Sequence, residues 1–145
     1  MKLDFLMAAA TAGFLATYAH LVFALIADRV GLAKVDLAKG TGKLIFGDSY
    51  DGNPPYLLGL AAVQLNGIIF GLVYATVIGP MMSGPNVLRG LAFGGLLYLY
   101  AQCIHVPIFM KGGLFSHKVN RLAWLTTAIA HVIYGIILGW LSPLL

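Results

Sequence analysis

Hydrophobic positions along this chain gather into four long, nearly uncharged stretches, roughly 5–27, 56–79, 87–110 and 121–141, with short polar segments between them. Each holds about 20 or more residues, and a helix rising about 1.5 Å per residue needs roughly 20 to cross about 30 Å of hydrocarbon. Lipid offers no partner for backbone N–H and C=O groups, so such runs must be helices or a closed barrel. Barrel strands would alternate over about ten residues, which these do not. The pattern predicts an all-α integral membrane four-helix bundle, a single membrane domain over 1–145. The connection 28–55 is the one long enough to carry structure. Val30, Lys34, Leu37 and Ala38 in it follow helical spacing, Gly40-Thr41-Gly42 reads as a break, and Lys43-Leu44-Ile45-Phe46 as a return to the interface. Asp51-Gly52-Asn53-Pro54-Pro55 reads as a turn that launches the second span, with proline in its first helical turn.

Composition agrees. The 145 residues are 60% hydrophobic and 10% charged, with mean hydropathy +0.90, whereas a soluble domain carries roughly 25% charged residues. There is no glutamate, and the five acids are Asp4, Asp28, Asp36, Asp48 and Asp51, all at span ends or in the first connection. Proton-coupled transporters usually keep a carboxylate inside the membrane, and glutathione-dependent four-span enzymes an internal Glu–Arg pair, so both classes are disfavoured. The single cysteine, Cys103, rules out an internal disulfide and a CxxC redox or zinc site; it is expected to be a small packing residue. Basic residues are uneven: Arg29, Lys34, Lys39, Lys43, Lys111, Lys118 and Arg121 against Lys2 and Arg89. The positive-inside rule then places connections 28–55 and 111–120 in the cytoplasm and the termini outside.

Every span carries small residues four apart: Ala9, Gly13 and Thr17; Gly67 and Gly71; Gly90 and Gly94; Gly135 and Gly139. Between helices in lipid there is little hydrophobic force, and close backbone approach across such faces drives packing. Gly67-Ile-Ile-Phe-Gly71 echoes Gly135-Ile-Ile-Leu-Gly139, and Gly13…Tyr18-Ala19-His20 echoes Gly95…Tyr100-Ala101-Gln102, which suggests two repeated helical hairpins.

Candidate chemistry rests on polar groups inside the spans, since burying them unpaired is costly. They are Tyr18, His20, Gln64, Asn66, Tyr74, Tyr98, Tyr100, Gln102, His105, Thr126, Thr127, His131 and Tyr134. Gln102 with His105, and His131 with Tyr134, stand three apart on shared helix faces; these four are the candidate ligand-binding residues. Pro107 removes a backbone donor and reads as a kink beside His105 or as the end of the third span. His20 and His105 lie at similar depth and are the pair that could hold haem b between facing helices. No catalytic triad and no metal-binding set is legible.

Gly90-Leu-Ala-Phe-Gly94, Val106-Pro107, Gly112-Gly-Leu-Phe115, His131-Val-Ile-Tyr134-Gly135-Ile-Ile-Leu-Gly139 and Gly71-Leu-Val-Tyr74-Ala75 resemble a family of small four-span bacterial membrane proteins, the group that includes YagU-like inner-membrane proteins. The resemblance covers perhaps 100 residues and implies a four-span fold in the bacterial inner membrane; it implies no activity. Where relatives often carry a histidine in the second span, this chain has Gln64 or Asn66.

Three functions are compatible with these features. The first is a non-enzymatic accessory or scaffold subunit, packed among membrane lipids against other transmembrane subunits or a second copy of itself, with no nucleic acid and no cofactor. The second is a binding or transport protein for a small ligand, lipid or quinone, which requires a polar-lined cavity near Gln102, His105 and His131. The third is a haem b electron-transfer protein using His20 and His105.

Overall fold

The computed structural model describes residues 2–47 and 52–145; Asp48 and Asp51, read above as connection acids, lie outside them. Among the described residues four helices are long and apolar enough to cross a membrane. Helix α1 covers Leu3–Ile26 and tightens into a 3-10 turn over Ala27–Val30. Gly31, at φ 78°, stops it in the left-handed region that glycine adopts without steric cost. A short α2 follows over Leu37–Phe46. Helix α3 begins at Asn53–Val73, widens into a π-helical turn at Tyr74–Ile78 and ends with Gly79–Met81. Helix α4 runs over Asn86–Tyr100 and continues as a π-helix through Ala101–Phe109. Helix α5 covers Ala123–Leu141.

These bounds follow the hydropathy pattern closely, and the differences from it have local causes. Gly40-Thr41-Gly42 does not interrupt the first connection; it lies inside α2. Asp36 caps that helix by accepting the Lys39 amide at 2.9 Å, so the helix starts at Leu37 and not at Val30. Gly42 is kept free of a side chain by tertiary contact, since a Cβ there would lie 2.5 Å from the Pro55 carbonyl oxygen of α3. The second hydrophobic stretch, read as ending near 79, continues through Pro80 to Met81 after a wide π turn. Beyond it Arg89 donates to the Gly84 and Gly79 carbonyls at 2.7 and 3.3 Å, tying the start of α4 back to the turn and the end of α3.

The two most buried spans, α1 and α5, pack against each other, with α3 on the far side of α1 and α4 on the far side of α5. Glycines set the two outer seams. A Cβ on Gly71 would lie 2.7 Å from the Ala9 carbonyl oxygen and from the Gly13 Cα. One on Gly135 would lie 2.6 Å from the Gly90 oxygen and 2.9 Å from the Leu91 Cα. Gly13 against Gly67 and Gly71 matches Gly90 against Gly135 and Gly139, so the α1–α3 and α4–α5 hairpins share one seam design. The equivalent of Gly13 is thus Gly90. The sequence echo pointed to Gly95, which meets nothing within 4 Å.

At the end of the bundle that carries the α3–α4 turn, the interior is closed by Ala12, Ala16, Tyr74, Phe93, Tyr134 and Leu138. The Tyr74 hydroxyl there donates to the Asn86 carbonyl at 3.1 Å. Contact between α3 and α4 is concentrated at this end. At the other end α2 lies along α3 and faces the π-helical part of α4 across a cavity.

Candidate functional site

The cavity is about 540 Å³ and sits where the connections 28–55 and 111–120 meet the bundle. His20 and His131 line its inner part, six residues before the end of α1 and eight after the start of α5, or about 9 and 12 Å from those helix ends. Asp36, Lys43 and Lys111 line its outer part, and Val35, Leu37, Val106, Phe109 and Met110 give it apolar walls. It therefore grades from charged through apolar to a hydrogen-bonding floor. Gly40 helps make the space: a Cβ there would already lie 3.4 Å from the Met110 Cε.

Pro107 explains the backbone that shapes one wall. It lacks an N–H, and the helix accommodates it by widening to π turns from Ala101 onward. In that register the Gln102 carbonyl is left without the donor that residue 107 would supply. The span closes with the Gly112 amide on the Val106 carbonyl at 3.0 Å.

A polar network braces the floor. The Ser116 hydroxyl donates to the Gln102 Oε1 at 2.8 Å, and the Gln102 Nε2 donates to the Thr127 Oγ1 at 2.6 Å. Thr127 in turn donates to the carbonyl of Ala123 or Trp124, each at 3.0 Å. Thr126 donates to the Ala33 carbonyl at 2.8 Å, tying α5 to the first connection. Gln102 and Thr126 are fully buried. Delivering the Ser116 hydroxyl requires left-handed backbone at two consecutive non-glycine residues, Phe115 at φ 52° and Ser116 at φ 57°. Such residues cost about 1–2 kcal/mol each, so buried hydrogen bonding holds the loop where local preference would not.

The two inner histidines stand together. The rings of His20 and His131 are 4.7 Å apart between centroids and edge-on, and Tyr98 stacks beside His131 at 5.7 Å. His131 Nδ1 lies 2.7 Å from the Thr127 carbonyl oxygen. A carbonyl only accepts, so Nδ1 carries the proton and, in the neutral ring, Nε2 is an acceptor. The His20 Nε2 is buried and has no partner among the described residues.

Of the four candidate ligand-binding residues, Gln102, His105 and His131 line the cavity. Tyr134 does not: three positions along α5 it turns into the packed interior, where its hydroxyl is buried without a partner among the described residues. His20 and His105 line the same cavity, but the ring against His20 is that of His131, while His105 packs on Tyr100 and Phe109 at 6.2 and 5.5 Å. Cys103, expected as a packing residue, is exposed, because the π turn carries it to the outer face. Tyr18, Asn66 and Tyr100 also face outward. Ser116, Asp36, Lys43 and Lys111 were not singled out as site residues from the sequence. The loop glycines near Ser116 were visible, but its partner is 14 positions away. Among the described residues no group of three or more His, Cys, Asp or Glu side chains is placed to hold a metal ion.

No protein-family model matches the chain, and no curated protein and no solved structure shows significant similarity to it.

Proposed function

We propose that this chain is an integral membrane protein that binds a small amphipathic ligand, lipid- or quinone-like in shape, in the cavity between α2, α4 and α5. The observation that carries this reading is the cavity itself, which combines apolar walls with a polar floor in a bundle whose other end is tightly packed. Cavities of this size and lining are typical small-molecule sites. The basic residues of the connections favour a cytoplasmic mouth, and the resemblance to small four-span bacterial proteins favours an inner membrane. The outer ends of α2 and α4, with Leu44, Ile45, Phe46, Ile108 and Phe109 exposed, suit a ligand that arrives from the bilayer. Purification in mild detergent followed by mass spectrometry of extracted small molecules should recover a stoichiometric amphiphile. Gly40→Trp, which fills the space beneath Met110, should release it; recovery no greater than from a mock membrane preparation would defeat the reading.

A second reading, an accessory subunit or self-associating protein, is favoured by one residue. Asn66 sits near the middle of α3, points outward and makes no side-chain hydrogen bond among the described residues. An amide facing hydrocarbon favours pairing with a neighbouring helix. If that pairing occurs, Asn66→Leu will shift the protein to a smaller species in crosslinking and native mass spectrometry, without loss of the ligand.

A further inference from the structure

Resting on the ligand-binding reading, the geometry points to the chemistry of the ligand's buried end: we propose that it is a hydroxyl, of phenol or quinol type, which donates its proton to His131 Nε2. The hydrogen bond from His131 Nδ1 to the Thr127 carbonyl, 2.7 Å long, fixes the tautomer. What His131 then presents is a lone pair on Nε2, which makes no hydrogen bond among the described residues. A carboxylate, a phosphate or a quinone carbonyl brings only acceptors and meets that lone pair with repulsion. A hydroxyl brings a donor, and its oxygen keeps acceptor capacity.

The neighbouring group answers the second half of that requirement. His20 is 91% buried by its 9% relative exposure, its ring is 4.7 Å from that of His131, and its Nε2 has no partner among the described residues. An unpaired buried polar group of this kind is unfavourable. A hydroxyl seated on His131 lies beside this ring, and its oxygen is an acceptor that a His20 Nε2–H reaches once the ring turns toward the cavity. Elsewhere in the floor Ser116, Gln102 and Thr127 already bond to one another, which leaves His131 Nε2 as an open acceptor there. His105 and Phe109, with ring centroids 5.5 Å apart and planes tilted by 39°, line the cavity nearby with aromatic surface, which suits an aromatic body carrying the hydroxyl.

The test compares probes that differ only in the donor. The full chain is reconstituted in lipid nanodiscs and titrated with 1-naphthol, with 1-methoxynaphthalene, which cannot donate, and with 1,4-naphthoquinone, which only accepts. Binding is corrected against protein-free discs. Naphthol is expected to bind at least 10-fold tighter than either comparator, and His131→Phe should bring naphthol down to the level of the ether. Because that variant can fail to fold, the same titration is followed in wild-type protein by 15N resonances of labelled histidine. The His131 Nε2 signal should move by several ppm with naphthol and stay in place with the ether. Equal binding of all three probes, or a stationary Nε2 signal, overturns the hydroxyl assignment and leaves the cavity as a binding site. Absence of specific binding by any of the three overturns both.

Discussion

The two hairpins are built on the same backbone contact and put to different uses. In the first, Gly13 of α1 sits against Gly67 and Gly71 of α3; in the second, Gly90 of α4 sits against Gly135 and Gly139 of α5. Towards the end that carries connections 28–55 and 111–120, the likeness stops. In the first hairpin α1 tightens there into a 3-10 turn, while α3 stays α-helical with α2 fastened along it through Gly42 and Gly59. The second widens into π turns around Pro107 and gathers Gln102, Ser116, Thr127 and His131 into a hydrogen-bonded cluster. The glycine seams fix which helices are neighbours. Irregular backbone at one helix end then opens a space and fills its edge with polar groups, a pattern common at functional sites.

The comparison breaks most severely if a seam is blocked. Gly135→Leu would drive a side chain into the Gly90 carbonyl and should destabilise the protein by about 3 kcal/mol. Gly95→Leu on the open face of α4 should be close to neutral, and the midpoints of reversible unfolding in mixed detergent measure the contrast. Equal losses at the two sites would show that the seam is not what holds the second hairpin. A smaller effect is expected inside the polar cluster. Gln102→Leu leaves the Ser116 hydroxyl without its acceptor and the Thr127 oxygen without its donor, a loss of about 1–3 kcal/mol. It should also speed amide exchange at Val119, whose N–H bonds the Ser116 carbonyl at 2.8 Å, more than at residues of the α1–α3 seam. Uniform acceleration would mean that the cluster is not a local brace of the second hairpin. The smallest effect belongs to α2. Removing its cap by Asp36→Ala should cost about 1 kcal/mol. It should appear as faster exchange of the Lys39 amide with little change in the midpoint of global unfolding; a large fall in that midpoint would make α2 part of the seam framework and not an addition to it.

The sequence by itself determined the helices that are long and apolar enough to cross a membrane, their order and the faces on which they meet. Those properties follow from continuous hydropathy and from small residues four apart, and both are local signals along one helix. It also marked Gln102, His105 and His131, since a polar side chain within an apolar run stands out without any knowledge of neighbours. Only the tertiary structure decided what these residues do. Ser116 reaches Gln102 because buried hydrogen bonds outweigh an unfavourable backbone, and His20 meets His131 because α1 packs on α5 and not on α4. Proline's missing donor was legible, but whether the helix answers with a kink, an end or a π turn depends on the contacts around it. The same holds for Gly40 and Gly42: an isolated segment reads them as a break, whereas α3 and Met110, pressed against them, turn the missing side chains into room for packing and for a cavity.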